Sequence, residues 1–172
     1  MLLRFNLLVI LLLLLSACAS GPGFDSRGVD RSLTPGRVAA GPQLATGKQV
    51  LWGGTILRTT NLKDSTQLEV LAYQLDANQR PQSKSAPLGR FILEQAGYLE
   101  PASYAEGRLI TVVGTVTGTR AGRVDESDYE YPVITVRQLN LWPSYRGESG
   151  SNVYFGIGTG SGGSWGGMGV GF

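Results

Sequence analysis

The amino-acid sequence predicts a mainly β fold with one short helix. Between residues 49 and 143, five runs rich in β-branched and aromatic residues are separated by turn residues, a pattern typical of short strands. Residues 108–119 alternate apolar and polar side chains, so one face of that strand is expected to be buried and the other wet. The flanking segments are rich in Gly, Pro and Ser and lack this periodicity.

We expect the five strands at residues 49–60, 66–75, 89–94, 108–119 and 131–142. Gly53 and Gly54 lie inside the first strand and indicate a bulge or a sharp bend. Asp76-Ala77-Asn78-Gln79 forms the turn after the second strand. Pro132 is acceptable in the fifth strand because it stands at the strand entrance.

A short helix is expected between the third and fourth strands. Pro101 is well placed at a helix start and Gly107 just past its end. Three strands, a short helix and two more strands is the element order of the OB-fold, a small Greek-key barrel. The sequence therefore predicts a five-stranded OB-like barrel over residues 49–143. A small β-sandwich or a different barrel stays open, because the order of strand pairing cannot be read from one sequence.

Residues 1–17 have the features of a signal peptide. Arg4 gives a charged beginning, and residues 7–15 are Leu, Val and Ile only. A membrane-spanning helix needs roughly 20 apolar residues, so this run is too short for a stable span.

Leu15-Ser16-Ala17-Cys18 resembles the lipobox of bacterial lipoproteins in every position. The resemblance implies cleavage before Cys18, with a diacylglyceryl thioether on its sulfur and an acyl group on its amine. Stable attachment needs more than one acyl chain. Cys18 is the only cysteine, so it has no disulfide partner within the chain. The alternative is ordinary secretion, since Ala17-Cys18-Ala19 also fits a small-x-small cleavage site.

Membrane lipid, reached through acylated Cys18, is the predicted partner. Ala19 and Ser20 follow the cysteine, and the lack of Asp directly after it implies, by the same resemblance, sorting to the outer membrane. We expect the protein to face the periplasm there. The sequence also allows a further partner, which is either an envelope protein or the cell wall.

Residues 18–48 are predicted to be a lipid-anchored tether, because their composition is that of a solvated linker. One helical turn fits within it, with Thr34 as N-cap, Pro35 at the first helical position and Val38 at its end. Gly41-Pro42 would stop that turn.

Residues 144–172 form a Gly/Ser-rich tail. Such a composition buries too little apolar area to offset the entropy of ordering, so we expect disorder. Val153, Phe155 and Ile157 alternate, and this pattern leaves an interaction segment as the alternative.

Composition limits the chemistry. The chain after residue 17 carries 14 Lys and Arg against 13 Asp and Glu, and this balance does not predict a nucleic-acid partner. Without histidine, the chain cannot form a Ser-His-Asp triad, and imidazole zinc ligands and His acid/base chemistry are excluded. No cofactor, metal or catalytic residue is predicted, and we expect a protein that is not an enzyme.

The expected loop at residues 120–130 is the one most relevant to ligands. It has two arginines against four acidic residues, which predicts repulsion of phosphates. Its acidic cluster could hold calcium, but a solvated loop is the preferred interpretation because the spacing fits no EF-hand. Trp52 and Trp142 are expected to pack in the barrel rather than to form a binding patch. Glu69, Glu94 and Glu100 are interpreted as surface carboxylates, not as a glycosidase pair.

Several blocks of the sequence together resemble the Slp family of starvation-associated outer-membrane lipoproteins. The Trp-Gly-Gly and Leu-Glu-Val blocks are fairly specific, and the resemblance runs from Cys18 to Pro143. The blocks are Leu33-Thr34-Pro35, Val50-Leu51-Trp52-Gly53-Gly54-Thr55-Ile56, Leu68-Glu69-Val70-Leu71-Ala72-Tyr73, Gly89-Arg90-Phe91, Leu99-Glu100-Pro101 with Tyr104 and Gly107-Arg108, and Leu141-Trp142-Pro143. The resemblance implies an outer-membrane lipoprotein and supplies no catalytic residues.

Three hypotheses for function follow. The first is a non-enzymatic envelope lipoprotein whose barrel is a structural or interaction module. The second is a carrier or sensor of a small molecule or peptide, which a deep pocket with converging polar groups would favour. The third is an enzyme acting on cell-wall or lipid material, which would need a buried, interacting carboxylate pair.

Replacing the lipidation residue tests the anchor. Cys18→Ala is expected to leave the precursor uncleaved or to release it from membranes, because the acceptor of the lipid is gone. Intact mass of the wild-type protein should show acyl groups on a chain that begins at Cys18. An unmodified chain that begins at Ser20, or normal membrane retention of the variant, would contradict lipidation.

Overall fold

The computed structural model describes residues 23–144, 153–160 and 163–170. The chain divides into two compact units, Met1–Trp142 and Pro143–Phe172. The predicted signal peptide and Cys18 lie outside the described residues. Within the described ranges, no helix has the length and hydropathy needed to cross a membrane.

The first unit is mainly β. It begins with a six-residue helix, α1, Pro35–Ala40, followed by a 3-10 turn, Pro42–Leu44. Five strands then follow in the order predicted. They are β1, Gln49–Asn61; β2, Ser65–Ala72; β3, Arg90–Ala96; β4, Leu109–Val124; and β5, Ser127–Leu141.

The five strands close into a barrel in the order β1-β2-β3-β5-β4. All neighbours are antiparallel except β3 and β5, which pair in parallel at Ile92–Val133 and the two pairs that follow. The predicted mainly β, five-stranded OB-like barrel with one short helix is therefore confirmed. The predicted turn after β2 is also confirmed, because Asp76 Oδ1 accepts hydrogen bonds from the Asn78 and Arg80 amides.

Gly54 allows β1 to serve two neighbours. It is paired with Ala72 of β2 on one side and with Ile110 of β4 on the other. A Cβ built at Gly54 would meet the Leu71 carbonyl oxygen at 2.0 Å, so only glycine permits this backbone approach. The irregularity in the β1–β2 register lies further along, between Ile56 and Arg58.

The barrel interior is filled by side chains. Its buried cluster draws on every strand and on α1, through Val38, so the interior is a packed core and not a cavity. Trp52 packs edge-on against Phe91, with ring centroids 5.1 Å apart. The core members are Val38, Ala45, Val50, Trp52, Ile56, Leu68, Val70, Ala72, Phe91, Leu93, Ile110, Val112, Val116 and Ile134.

The predicted tether is wrong from residue 23 onward. Residues 23–48, called here the N-terminal arm, lie on the barrel and carry α1, which begins after the predicted N-cap Thr34 and ends before Gly41. Val38 and Ala45 are completely buried. The composition of the arm suggested a linker because few of its residues are apolar, yet those few reach the core.

The prediction of a helix near residues 101–107 is also wrong. The Glu100 carbonyl accepts bonds from the Ser103 and Tyr104 amides, which closes a single turn. A helix does not continue beyond this turn, because the backbone groups that follow are hydrogen-bonded to residues of β1. Thr59 Oγ1 donates to the Tyr104 carbonyl at 2.6 Å, and the Gly107 amide donates to Ile56. The short helix of this barrel is therefore α1, before the first strand.

The expected loop at residues 120–130 is instead a β-hairpin. β4 and β5 stay paired to Val124 and Ser127, and Asp125 takes the left-handed conformation at the turn. Tyr129 and Tyr131 pack edge-on, with centroids 4.8 Å apart. Polar composition suggested a loop, but cross-strand pairs stabilise a polar ribbon beyond the core.

The second unit contains two further strands, β6, Val153–Gly160, and β7, Gly163–Val170. They pair antiparallel from Val153–Val170 to Gly160–Gly163. The expectation of disorder is therefore wrong over these residues. The alternation of Val153, Phe155 and Ile157 was the better guide, because it is the period of a strand.

Matched substitutions test whether the arm belongs to the fold. Val38→Ala is expected to lower the free energy of unfolding by about 2 kcal/mol, because it removes two buried methyl groups and leaves a cavity. Leu44→Ala, at a side chain that is 84% exposed on the same arm, should change it by less than about 0.5 kcal/mol. Equal effects in chemical denaturation would show that the arm does not pack as described.

Candidate functional site: an arginine-lined groove

An open groove of about 380 Å³ lies on the outer surface of the barrel. We call it the arginine groove, because four arginines from three separate parts of the chain line it. The end of β1, the first half of β2, the start of β3 and the β4–β5 hairpin form its walls. The lining residues are Arg58, Thr60, Gln67, Glu69, Arg90, Ile92, Arg120, Ala121, Gly122, Arg123, Val124, Asp125 and Tyr131.

Strand alternation explains why these side chains point outward. In β2, Thr66, Leu68 and Val70 are buried, so the alternate residues Gln67 and Glu69 face the groove. In β3, Phe91 is buried, and its neighbours face the groove in the same way. Arg58 follows the register irregularity in β1, and such bulges re-aim side chains.

Glu69 is the centre of a polar cluster in the groove. Arg90 donates to Glu69 Oε1 at 2.8 Å, and the Tyr131 hydroxyl lies 3.2 Å from the same oxygen. The pKa of Tyr131 is raised, first by burial and then by the nearby Glu69 carboxylate. Burial lowers the pKa of Arg90, but the Glu69 carboxylate and the Tyr131 hydroxyl together raise it further, so the net pKa is raised. Arg90 therefore stays charged and fixed in direction.

Glu94 fixes a second arginine from outside the groove lining. Arg120 donates to Glu94 Oε1 at 2.8 Å and to Gln67 Oε1 at 3.0 Å. The Gln67 amide in turn donates to Glu94 at 2.8 Å. The hairpin is thereby attached to the face of β2 and β3.

Glu69 and Glu94 lie on the barrel surface, as predicted, but each is bound to an arginine. The two carboxylates therefore hold the Arg90 and Arg120 side chains in place.

Arg58 and Arg123 have fewer protein partners. Arg58 is exposed, and its guanidinium group makes no hydrogen bond or ion pair with any described residue. Arg123 donates to the Glu126 carbonyl at 2.9 Å and lies 4.0 Å from Asp128, whose side chain is fully exposed. Most of the hydrogen-bonding capacity of these two guanidinium groups remains open to a ligand.

The prediction that residues 120–130 repel phosphates stays untested, but the structure changes its premise. It treated the segment as one loop with a single net charge. In the hairpin, Arg120 and Arg123 line the groove with Asp125, and the other three acidic residues are not part of the lining. Among residues 23–144 and the two later strands, no three acidic side chains converge as a metal site would require.

A second cleft, of about 290 Å³, lies between the arm and the barrel. Its walls include Leu33 and Pro35 of the arm and Leu51, Trp52 and Leu88 of the barrel. The Trp52 indole donates to the Leu33 carbonyl at 2.8 Å and bridges the two sides.

The tryptophans pack in the barrel, as predicted. Trp52 and Trp142 are 5% and 8% exposed, and Trp142 donates to Thr111 Oγ1. Tyr104 packs against the core, while Tyr98 is 67% exposed. Cys18, the predicted lipidation site, lies outside the described residues and stays a prediction.

The model of the outer membrane lipoprotein Slp family matches residues 15–166 of this sequence. The chain belongs to the outer membrane lipoprotein Slp family. Membership confirms the predicted family and the outer-membrane localisation of a lipoprotein.

Three curated relatives are similar to this Slp-family chain. The uncharacterized lipoprotein YeaY of Escherichia coli K12 is 32% identical over 62% of this chain and 54% of its own length. Outer membrane protein Slp of the same organism is 28% identical over 79% of this chain and 73% of its own length. An uncharacterized protein of Haemophilus influenzae is 36% identical over 55% of this chain and 52% of its own length. The chain thus spans about half the length of two of these relatives.

Sequence reasoning missed the arginine groove of this Slp-family barrel. Its four arginines come from positions 58, 90, 120 and 123, and no local motif joins them. The apolar alternation of β2 and β3 indicates which of their side chains point outward. No local pattern indicates that β4 and β5 continue as a paired hairpin, which brings two of the arginines onto that face.

Replacing Glu69 tests the described cluster. Glu69→Gln is expected to lower the pKa of Tyr131 toward 10, because a neutral amide no longer disfavours the phenolate. The free energy of unfolding should fall by about 1–2 kcal/mol, since Arg90 loses a charge-assisted bond. NMR titration of the tyrosine rings measures the pKa.

Glu100→Gln is the matched control. The pKa of Tyr98 is raised first by partial desolvation of its hydroxyl and then by the neighbouring Glu100 carboxylate. This variant should lower the pKa of Tyr98 and leave Tyr131 unchanged. Identical tyrosine titrations in wild type and Glu69→Gln would refute the cluster.

Proposed function

We propose that the chain is a non-enzymatic, lipid-anchored module of the outer membrane, whose barrel serves a structural or interaction role in the cell envelope. In this proposal Cys18 carries the lipid and the barrel lies on the periplasmic face. A link to stress or starvation is part of the proposal and rests on the family resemblance. Membership in a family of outer membrane lipoproteins supports the anchor.

The docking of the arm carries the proposal. Gln138 on β5 accepts a hydrogen bond from the Asp25 amide at 3.1 Å and donates to the Gly23 carbonyl at 2.9 Å. Four residues separate Cys18 from Gly23. Such a segment spans at most about 18 Å when fully extended. An acylated Cys18 would therefore hold the barrel close to the lipid surface and not at the end of a long tether.

The filled barrel favours a function on its outer surface. Core side chains occupy the interior, so among the described residues the grooves lie outside the barrel. The chain has no histidine, and Glu69 and Glu94 are each bound to an arginine. These observations support a binding or structural role over catalysis.

The second candidate is a small-molecule or peptide binding module on the same lipid anchor. The arginine groove favours it, because polar side chains from separate strands converge there. Binding would then take place on the barrel surface, not inside the barrel as the sequence suggested.

Lipid-phase fluorescence quenching tests whether the barrel is held close to the membrane. Acylation consumes the Cys18 thiol, so one new cysteine can carry a dye. A dye at Gly23→Cys is expected to be quenched strongly by spin-labelled lipid in vesicles, because few residues separate it from the anchor. Gly23 tolerates the change, since nothing lies within 4 Å of a Cβ built there.

Asp128→Cys supplies the matched probe at the hairpin. Its side chain is fully exposed. We expect quenching at least about twofold weaker there, because β4 runs about 30 Å from Val113, beside Asp25, to Gly122 near the hairpin. Equal quenching at the two sites, or none at Gly23, would reject a barrel seated by its arm.

A further inference from the structure

We propose that the arginine groove binds a phosphate ester. The inference deepens the proposed interaction role of the barrel by naming the chemistry of its ligand. It depends on the groove and its four guanidinium groups, and it does not depend on the lipid at Cys18.

Two arginines supply the open donors. Arg58 makes no hydrogen bond or ion pair with the described residues, and Arg123 is held only by a carbonyl and a distant, exposed carboxylate. A single exposed arginine is ordinary on a protein surface. Here, however, two such arginines share one groove with two more, and their mutual repulsion needs an anion to offset it.

The other two arginines are already oriented. Glu69 holds Arg90, and Glu94 with Gln67 holds Arg120, all at 2.8–3.0 Å. Each of these guanidinium groups keeps further N–H donors beyond those that its carboxylate accepts. A ligand that enters the groove therefore meets a partly preorganised set of donors and does not have to order all four side chains.

The charge and size of the groove favour a phosphate ester. Its lining carries four arginines against Glu69 and Asp125, a net charge of +2, or +1 when Glu94 is counted. A phosphate monoester carries about −1.5 to −2 charges at neutral pH and presents three acceptor oxygens. Every cation of the lining is arginine, whose planar fork binds phosphate in a bidentate manner.

The volume of the groove exceeds that of a bare anion. At about 380 Å³, it lies within the size range of small-molecule sites. Ile92 and Ala121 offer a less polar surface beside the arginines. An ester group attached to the phosphate would rest there.

Two sources could supply this phosphate, a soluble ester or a lipid headgroup. Along β4, Val113 lies beside the arm at Asp25, and Gly122 lies in the groove. Nine residues of strand correspond to about 30 Å along the strand. The groove is thus far from the Asp25 end of the arm, the end nearest Cys18, which favours the soluble ester.

The test uses the acylated full-length protein in micelles of an uncharged detergent. Isothermal titration with glycerol 3-phosphate should show binding, and glycerate, in which a carboxylate replaces the phosphate ester, should bind at least about tenfold more weakly. Arg58→Ala is expected to weaken the binding of glycerol 3-phosphate at least about tenfold without unfolding, since Arg58 has no protein partner to lose. Arg58→Lys should bind with intermediate affinity, because it keeps the charge and loses the fork.

Arg27→Ala is the matched control, since this arginine is 91% exposed and lies outside the groove. It should bind within about twofold of wild type. Competition by phosphatidylglycerol added to the micelles assigns the phosphate to a lipid headgroup, and no competition assigns it to a soluble ester. Absence of binding, equal binding of glycerate, or unchanged affinity in Arg58→Ala would each overturn the proposal. These outcomes leave the anchor at Cys18 untouched.

Discussion

The contact of Trp52 with the N-terminal arm is the interaction on which much of this structure depends. Its ring packs against Phe91 inside the barrel, and its indole N–H donates to the Leu33 carbonyl of the arm. A buried indole N–H needs an acceptor, and the arm provides it. The barrel core and the docked arm therefore depend on each other, since the arm also places Val38 in the core.

Backbone hydrogen bonds attach the arm to the barrel at further points. The Asp30 amide donates to the Gln49 carbonyl, and the Gly36 amide donates to the Leu88 carbonyl. Gly89 allows the second approach, because a Cβ there would lie 2.8 Å from the Gly36 nitrogen. Removing the arm would expose Trp52 and apolar core, so the barrel without it is an incomplete domain. With the lipid proposed at Cys18, this docking would keep the covalent distance from lipid to barrel short.

The sequence predicted the barrel well because its strands obey a local rule. Alternation along β2 fixes which side chains are buried, and turn residues such as Asp76 separate the runs. In β4 the expected wet face is absent over residues 110–114, which are all buried. The arm broke that rule. Val38 and Ala45 are small apolar residues in a polar context, and their burial depends on a pocket made by distant strands. The helix near Pro101 failed for a similar reason, because Thr59 and Ile56 of β1 bind its backbone groups.

The candidate site was less predictable than the fold. Net charge over a segment does not say which side chains share a surface. Arg120 and Arg123 were counted with their acidic neighbours, whereas the paired hairpin places both on the groove of β2 and β3. Their destination follows from tertiary pairing between Arg120 and Glu94, which are 26 residues apart. Cys18 stays a prediction, and it rests on local sequence because a peptidase would bind the lipobox as an extended chain.

The two features on which the proposals rest are the end of the arm nearest Cys18 and the arginine groove. That end of the arm meets the barrel at Gln138, while the groove is formed by the end of β1, the first half of β2, the start of β3 and the hairpin. The arm comes nearer the groove at Gly36, whose amide donates to Leu88, two residues before Arg90, but no residue of the arm is part of the groove lining. The Glu69 and Glu94 ion pairs, at side chains 18% and 32% exposed, hold the groove in shape without help from the arm. A rigid surface held near a membrane by one short segment suits a module that presents a ligand site from a fixed position.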